Sequence, residues 1–313
     1  MGLSTFELFK HIKNTNSTIE LTGDSLCSLQ NVLKMMLQDF QVAADKAEAR
    51  WTLSGGTCLG SLRHHGFIPW DDDIDINLIH DDLTKFVDAI NSLFPGKYTI
   101  QIPGLTDGYD LGFARMRLNG TIVRNRDDIG LPSSSCGAYI DIFLLESVPD
   151  NFICRGIHGF ISMALGFCYS CRRFEAHADL YNSLVAGNES ALKVFKRKEM
   201  IGKLFSFYTP EKWVALWNRW NSKYRNSSSS KYISIPTGRK HYFGELYSRD
   251  AFFPTEPGEF EGLLLPVPND FKVYMEALYG PDYMTPPPLE DREVHVVYEF
   301  DLGKYSNIES EDL

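Results

Sequence analysis

The chain has 313 residues and a formal net charge of −10. Its hydrophobic fraction of 43% and charged fraction of 23% exclude intrinsic disorder, a collagen-like chain and a disulfide-stapled miniprotein. The acidity argues against nucleic acid as a partner, because duplex binding depends on Lys and Arg. Small phosphate ligands stay open, since a bound metal ion reverses the local charge.

The ends and the cysteines predict a cytoplasmic protein. The N-terminus lacks a charged start followed by an apolar stretch, which argues against a secretory signal. The longest apolar run, 152–169, is interrupted by Arg155, His158 and three glycines, so we expect no membrane span. Cys168 and Cys171 have the spacing of a metal site, but a second such pair is missing. We favour buried, reduced thiols and leave zinc open.

Hydrophobic periodicity predicts a mixed first half. Helices are expected over 24–49, 57–64 and 83–93, where apolar residues recur at three- and four-residue intervals. Strands are expected at 51–53, 74–78, 98–102, 111–118 and 138–144. The fold class that follows is α+β.

The second half begins with a helical stretch from 150 to 226, in which Trp213, Trp217 and Trp220 lie on one apolar stripe. A strand at 262–266 and a helix at 269–279 follow. Between residues 150 and 230, twelve Lys and Arg stand against six Asp and Glu, which gives +6 and leaves −16 for the rest. Solvated helix faces explain this charge most simply, and docking on an anionic surface is the alternative.

The stretch from 71 to 77 carries the clearest chemistry. If residues 73–77 form a strand, Asp71, Asp73, Asp75 and Asn77 share one face, while the intervening isoleucines point into the core. Carboxylates this close repel one another unless a cation is bound. Oxygen ligands favour Mg²⁺ or Mn²⁺ over zinc.

Two simpler interpretations explain this stretch less well. A calcium loop of the EF-hand type requires glycine where Ile76 stands, and Asp82 is too short for the usual bidentate glutamate. An acidic surface turn does not explain the alternation with isoleucine.

Gly55 and Gly56, followed by Thr57, lie between a predicted strand and a predicted helix. Such a turn lets backbone N–H groups approach a phosphate. Asp141 lies alone among apolar strand residues, and a buried carboxylate needs a metal or a hydrogen-bond partner. Together with the aspartates at 71–75, these residues predict a nucleotidyltransferase-type site.

The sequence closely resembles the LicD family of phosphocholine transferases, which is related to fukutin-type ribitol-phosphate transferases. The resemblance is carried by Gly55-Gly56-Thr57, by the segment Arg63-His64-His65-Gly66-Phe67-Ile68-Pro69-Trp70-Asp71-Asp72-Asp73-Ile74-Asp75, and by 137–143. It reappears at 260–262, 267–268, 279–284 and 286–287, and it ends with Arg292 and His295. A motif of this length is strong evidence for a family.

The resemblance implies a nucleotidyltransferase-like mixed β-sheet core with a helical insertion. The expected parts are a core with the metal site (1–149), a basic helical segment (150–230) and a C-terminal part that completes the active site (231–313), all within one catalytic unit. The implied reaction moves a phospho-alcohol, phosphocholine first, from a CDP-linked donor to a sugar hydroxyl of a cell-surface glycan precursor, releasing CMP.

Roles for single residues follow from the resemblance together with their chemistry. Metal ligands are expected at Asp71, Asp73, Asp75 and Asp141, with Asp141 alternatively taking the acceptor's proton. Phosphate contacts are expected from Gly55, Gly56, Thr57, Arg63, Arg117 and Arg292. His295 is expected as a base or a phosphate ligand.

Other functions stay open at this point. The same metal site would serve transfer of a nucleotidyl group, and an inactive glycan- or metal-binding module is the alternative outside catalysis. The expected partners are the CDP-alcohol donor and the glycan acceptor. Contact with the inner face of a membrane through the basic segment is a further expectation, although core packing is the favoured use of the tryptophan stripe.

Overall fold

The computed structural model describes residues 18–128, 131–184, 189–225, 230–289, 292 and 297–308. Its centre is a seven-stranded mixed sheet in which five strands lie in the order β1-β2-β6-β4-β3. These strands are Trp51–Leu53 (β1), Asp75–Ile79 (β2), Tyr98–Gln101 (β3), Ala114–Leu118 (β4) and Tyr139–Val148 (β6). Only the β2–β6 pair among them is parallel. The predicted α+β class is confirmed.

Helices cover this sheet because each has a continuous apolar face. They are Asp24–Ala47 (α1), Gly55–His64 (α2) and Leu83–Leu93 (α3). In α1 the residues Leu29, Val32, Met36 and Phe40 are at most 1% exposed, as the predicted three- and four-residue spacing requires. The ring of Phe40 meets Trp51 of β1 and Phe86 of α3 at centroid distances of 5.0 and 4.4 Å.

The helical stretch predicted from 150 onward is present as four helices. They are Phe152–Ala176 (α4), Ala178–Leu184 (α5), Glu189–Leu204 (α6) and Pro210–Asn221 (α7). The tryptophan stripe packs mainly inward, because Trp213 and Trp217 are 6% and 7% exposed and Trp220 is half-buried. The preference for core packing is therefore confirmed. Cys171 is buried and Cys168 is half-buried beside this cluster.

The length of helix α4 contradicts the expectation that no apolar run is long enough to cross a membrane. By length and composition alone it would suffice, and 22% of its most apolar window is buried. The helix continues through Arg155 and His158, and their polar side chains find partners in the protein. The Arg155 guanidinium donates to the carbonyls of Pro149 and Asp150, and His158 is 2% exposed.

The chain after α7 returns to the main sheet. Tyr232–Ser234 (β7) pairs with the end of β6, and Leu246–Ser248 (β8) pairs with β7. Between them lies a short helix, His241–Gly244 (α8), and the last helix is Phe271–Tyr279 (α9). Two antiparallel pairs lie outside the main sheet. Glu256–Phe260 (β9) pairs with Leu263–Val267 (β10), and Ile122–Asn125 (β5) with Val297–Asp301 (β11).

Candidate active site

The register of β2 and β6 places two of the predicted aspartates side by side. Asp75 and Asp141 are direct partners across this parallel pair. Their strand neighbours Ile76, Ile140 and Ile142 are completely buried on the opposite face, as strand alternation predicts. The carboxylates therefore share the face that is not filled by the apolar core.

The aspartates at 71 and 73 precede the strand instead of belonging to it. The strand begins only at Asp75, whose N–H donates to the Thr57 hydroxyl at 2.9 Å and whose carbonyl accepts from the Ser54 N–H at 3.0 Å. Asn77 lies on the same face as Asp75, as predicted, and is buried there against Thr52 and Tyr274. The alternation thus holds from Asp75 onward, while Asp71 and Asp73 reach the site from the preceding loop.

The glycine pair begins helix α2, which starts two residues earlier than predicted. A β-carbon on Gly55 would lie 2.8 Å from Asp75 Oδ2, and one on Gly56 would lie 3.0 Å from Asp71 Oδ2. Gly55 also has a φ of +46°, in the left-handed region that favours glycine. The backbone conformation therefore favours glycine at 55, and at both positions a β-carbon would crowd a carboxylate of the site.

Tyr274 of α9 connects the start of α2 with strand β2 through hydrogen bonds. Its hydroxyl accepts hydrogen bonds from the N–H of Gly55 and the side-chain amide of Asn77, both at 3.2 Å, and lies 2.9 Å from Ser54 Oγ. The ring is 1% exposed. Helix α9 thus fixes the start of α2 and the middle of β2 through one side chain.

Asp141 has a cationic partner that the sequence did not indicate. Arg115, its direct neighbour on β4, donates from Nε and Nη2 to the two carboxylate oxygens at 2.5 and 2.8 Å. Burial disfavours the charged guanidinium, but the carboxylates of Asp141 and Asp128 outweigh this and raise the pKa of Arg115. A carboxylate has about four lone-pair sites, so Asp141 retains acceptor capacity on its cavity side.

Only some of the predicted phosphate ligands line the cavity of the site. Arg63 lines the cavity described below and donates to the carbonyl of Tyr283 at 3.0 Å. Thr57 is buried and supports Asp75 from behind, so it does not line that cavity. The Arg292 guanidinium stacks on the ring of Trp70 at 3.9 Å, and Trp70 is a lining residue. His295 lies outside the described residues.

Arg117 is positioned away from the site, contrary to the expectation of a phosphate contact. Its guanidinium is 2% exposed and binds the Asp128 carboxylate, the Gln101 side chain and the Gly137 carbonyl. With these partners it is part of the buried ionic network beneath β4. The strand register explains the difference, because Arg115 and Arg117 share one face of β4, but Arg115 pairs with Asp141 and Arg117 pairs with Tyr139.

One cavity of about 780 Å³ brings the predicted residues together with groups from the second half of the chain. The predicted residues that line it are Gly55, Gly56, Arg63, Asp71, Asp73, Asp75 and Asp141. The groups that sequence reasoning missed are Arg239, Lys240, Glu245, Tyr274 and Tyr279. The site thus combines carboxylates with three cationic side chains, a composition suited to an anionic ligand that brings a metal ion.

The missed basic residues lie in a loop that a buried carboxyl organises. Glu245 accepts from the N–H of Lys240 at 2.8 Å, and it packs so closely that a β-carbon on Gly238 would overlap it. Burial raises the pKa of Glu245 to about 7. The turn Pro236-Thr237-Gly238-Arg239-Lys240 was the available signal, since glycine followed by basic residues is typical of phosphate loops.

The donor set fits a hard divalent cation. The carboxylate residues Asp71, Asp73, Asp75 and Asp141 all line the same cavity. Among the described residues, no three His, Cys, Asp or Glu side chains already form a closed metal cage. Mg²⁺ does not need one, because it is usually held by one or two carboxylates together with water and substrate phosphates.

Comparisons with known proteins match the part of the chain that contains the aspartates and the glycine pair. Residues 48–149 match the family model described as "LicD/FKTN/FKRP, nucleotidyltransferase domain", which confirms the predicted resemblance. Over 286 residues the chain is 25% identical to the lipopolysaccharide cholinephosphotransferase LicD of Haemophilus influenzae, covering 86% of this chain and 95% of that protein. An uncharacterized protein of Rickettsia typhi is 37% identical over 54 residues, or 17% of this chain and 18% of its own length.

Proposed function

We propose that this chain, a LicD-type phosphotransferase whose residues 48–149 match the LicD/FKTN/FKRP family model, transfers phosphocholine from CDP-choline to a glycan. The sugar hydroxyl of a cell-surface glycan precursor is the acceptor, and CMP is the leaving group. The Haemophilus relative carries cholinephosphotransferase and lipopolysaccharide in its name, which supports choline as the alcohol and a lipid-linked glycan as the acceptor.

The observation that carries this proposal is the single cavity in which the start of α2, the aspartates and the basic loop meet. A CDP-linked donor is a pyrophosphate diester, so it needs cationic contacts on two phosphates. Arg63 lines the cavity from helix α2, and Arg239 and Lys240 line it from the loop between β7 and α8. These side chains bind and orient the donor, and they stabilise the charge that develops on CMP as the bond breaks.

Asp73 and Asp75 would hold the metal ion, with Asp71 beside them. When bound, Mg²⁺ or Mn²⁺ supplies a Lewis acid that polarises the donor's phosphate oxygens. Two hydrogen bonds from the chain then keep Asp75 in place: its N–H is held by Thr57, and its carbonyl by Ser54. Its carboxylate lies beside Gly55, where a β-carbon would be only 2.8 Å from Oδ2.

Asp141 is the group proposed to take the proton of the attacking sugar hydroxyl. Arg115 fixes the orientation of this carboxylate through two parallel hydrogen bonds, a geometry that restricts it more strictly than a single bond. The oxygen of the acceptor attacks the phosphorus that bears choline, and the bond from that phosphorus to the CMP oxygen breaks. CMP leaves with the electron pair.

A panel of CDP-alcohols, assayed for CMP release in the presence of a glycan acceptor, tests the proposal. We expect CDP-choline to be the preferred donor and CMP to be released in step with phosphocholine transfer. Release of pyrophosphate from a nucleoside triphosphate would contradict it in favour of nucleotidyl transfer. Binding of glycan without any turnover would contradict it in favour of a non-catalytic module.

A further inference from the structure

Helix α4 has an exposed face without a single polar side chain. Residues 152–167 are all described, and eight of them are exposed: Phe152, Ile153, Cys154, Ile157, Phe160, Met163, Ala164 and Phe167. The large side chains among them are strongly exposed, with Phe152 at 74% and Phe160 at 72%. A helix on the surface of a soluble protein normally shows the opposite pattern, with polar residues outside.

The spacing of these residues makes one continuous stripe. Positions 153, 157, 160, 164 and 167 follow each other at intervals of four, three, four and three, which is one side of an α-helix. We call the eight exposed residues the α4 stripe. An apolar surface of this kind marks an interaction site.

Contacts on the opposite side fix how the helix is rotated. The His158 ring binds the carbonyl of Trp220 at 2.9 Å, Ser162 donates to Asn221 at 2.6 Å, and the Tyr169 hydroxyl donates to the carbonyl of Asp110 at 2.6 Å. These groups are buried. The polar residues of α4 therefore hold it to the protein, and the stripe is directed away from it. A helix held in this way does not span a bilayer.

The charge around the stripe selects its partner. The segment 150–230 has a net charge of +6 in an otherwise acidic protein. The helices packed on α4 carry exposed cations at Lys193, Lys196, Arg197, Lys203, Lys212 and Arg219. A second copy of the chain would bring the same positive charge against itself. An apolar stripe on a helix whose neighbouring helices carry exposed cations instead fits the surface of a bilayer that contains anionic lipids.

We propose that the α4 stripe docks on an anionic lipid bilayer, with α4 lying in the plane of the membrane interface. The large apolar side chains enter the boundary between headgroups and acyl chains, and the flanking cations contact lipid phosphates. Helix α4 is connected to the candidate active site through its buried side. Lys240 lines the cavity, and the helix α8 that follows it packs Phe243, 49% exposed, against Gly159 of α4.

This proposal does not depend on the proposed reaction, because binding is measured without donor or acceptor. Flotation of the full chain with vesicles tests it, using phosphatidylcholine with about one third phosphatidylglycerol and pure phosphatidylcholine as the two lipids. We expect the chain to float with the anionic vesicles and to bind the neutral ones more weakly. Recovery of the chain in the lipid-free fraction with both lipids would overturn the proposal.

A pair of double variants locates the binding surface. Phe160→Glu/Phe167→Glu places two charges on the stripe, and Leu105→Glu/Leu289→Glu adds the same charge at positions that are 78% and 74% exposed elsewhere. We expect the first to lose about 100-fold or more in partitioning and the second to stay near the wild type. Equal partitioning of both would overturn the proposal. So would a concentration-dependent dimer in lipid-free buffer that only the first variant loses.

Cys154 allows a measurement that leaves the stripe intact. It is an exposed free thiol on the α4 stripe, and Cys27 on α1 is an exposed free thiol elsewhere. A polarity-sensitive dye on Cys154, in a Cys27→Ser background, should shift to shorter emission wavelength with anionic vesicles. The same dye on Cys27, in a Cys154→Ser background, should not. A shift at both thiols or at neither would overturn the proposal, even if the charged variants fail to fold.

Discussion

The carboxylate of Asp75 lies against the backbone of Gly55, with Oδ2 2.8 Å from the point where a β-carbon on Gly55 would stand. A strand residue and a helix residue thus meet at the start of α2 with no space between them. The carboxylate faces a helix N-terminus, whose positive end favours negative charge. The same feature that predicts a phosphate site therefore also positions a candidate metal ligand.

Gly55→Ala should reduce activity far more than it reduces stability. The new methyl group displaces the Asp75 carboxylate, and a shift of about 1 Å at such a site costs about 100-fold in rate. The left-handed φ of +46° adds about 1–2 kcal/mol of strain. Gly96→Ala is the matched control, since Gly96 has a φ of +74° with open space around it. It should lower the melting temperature without lowering CMP release.

Tyr274→Phe should lower the free energy of unfolding by about 1–3 kcal/mol, because the Gly55 N–H and the Asn77 amide lose their shared acceptor in a buried place. Urea unfolding measures the change. Tyr247→Phe is the control, since the Tyr247 hydroxyl is buried and has no hydrogen-bond partner among the described residues. A loss of equal size in both variants would contradict the role assigned to Tyr274.

Arg115→Met should be among the most destabilising single changes in the chain. It leaves the buried carboxylate of Asp141 without its cationic partner, while Asp128 keeps Arg117, and breaking a buried ion pair costs about 3–5 kcal/mol. Arg124→Met removes an ion pair with the exposed Glu299 and should cost less than about 1 kcal/mol. Thermal and urea unfolding measure both losses of stability. A larger loss in Arg124→Met than in Arg115→Met would contradict this account.

Glu245→Gln should change how stability depends on pH. Burial raises the pKa of Glu245 from 4.5 to about 7, so between these values the folded protein binds more protons than the unfolded chain. This carboxyl therefore stabilises the fold below about pH 4.5 and loses that contribution as the pH rises to about 7.

Glutamine stays neutral at every pH. The free energy of unfolding of the variant, relative to that of the wild type, should therefore rise by about 3 kcal/mol between about pH 5 and pH 8. Urea unfolding across this range measures the difference. Glu256→Gln, a change at an exposed position, should show no such trend. If the difference in unfolding free energy between Glu245→Gln and the wild type did not change with pH, burial would not raise the pKa of Glu245.

Much of the fold could be predicted from the sequence because its helices and strands are amphipathic and end at glycine, proline or polar residues. Helix α3 and strand β1 have the predicted bounds, and α9 ends as predicted at Tyr279 before Gly280. The alternation of aspartate with isoleucine and the glycine pair also located the site. These signals are local, so one stretch of sequence contains them whole.

The rest of the site depends on contacts between distant segments. Arg115 reaches Asp141 only through the pairing of β4 with β6, and Tyr274 meets Gly55 across 219 positions of sequence. No periodicity encodes such contacts. The exposed side of α4 was hidden for a different reason: an apolar helix in a sequence is normally part of a core, and only the packing shows which side is covered.

The most direct test of the central claim compares CMP release from CDP-choline by Asp73→Asn and Asp72→Asn. The two positions are adjacent, but Asp73 lines the cavity and Asp72 does not. We predict that Asp73→Asn lowers the rate by about 100-fold or more, while Asp72→Asn stays within a few fold of the wild type. Equal rates for both variants, whether both high or both low, would contradict the assignment of this cavity as the active site.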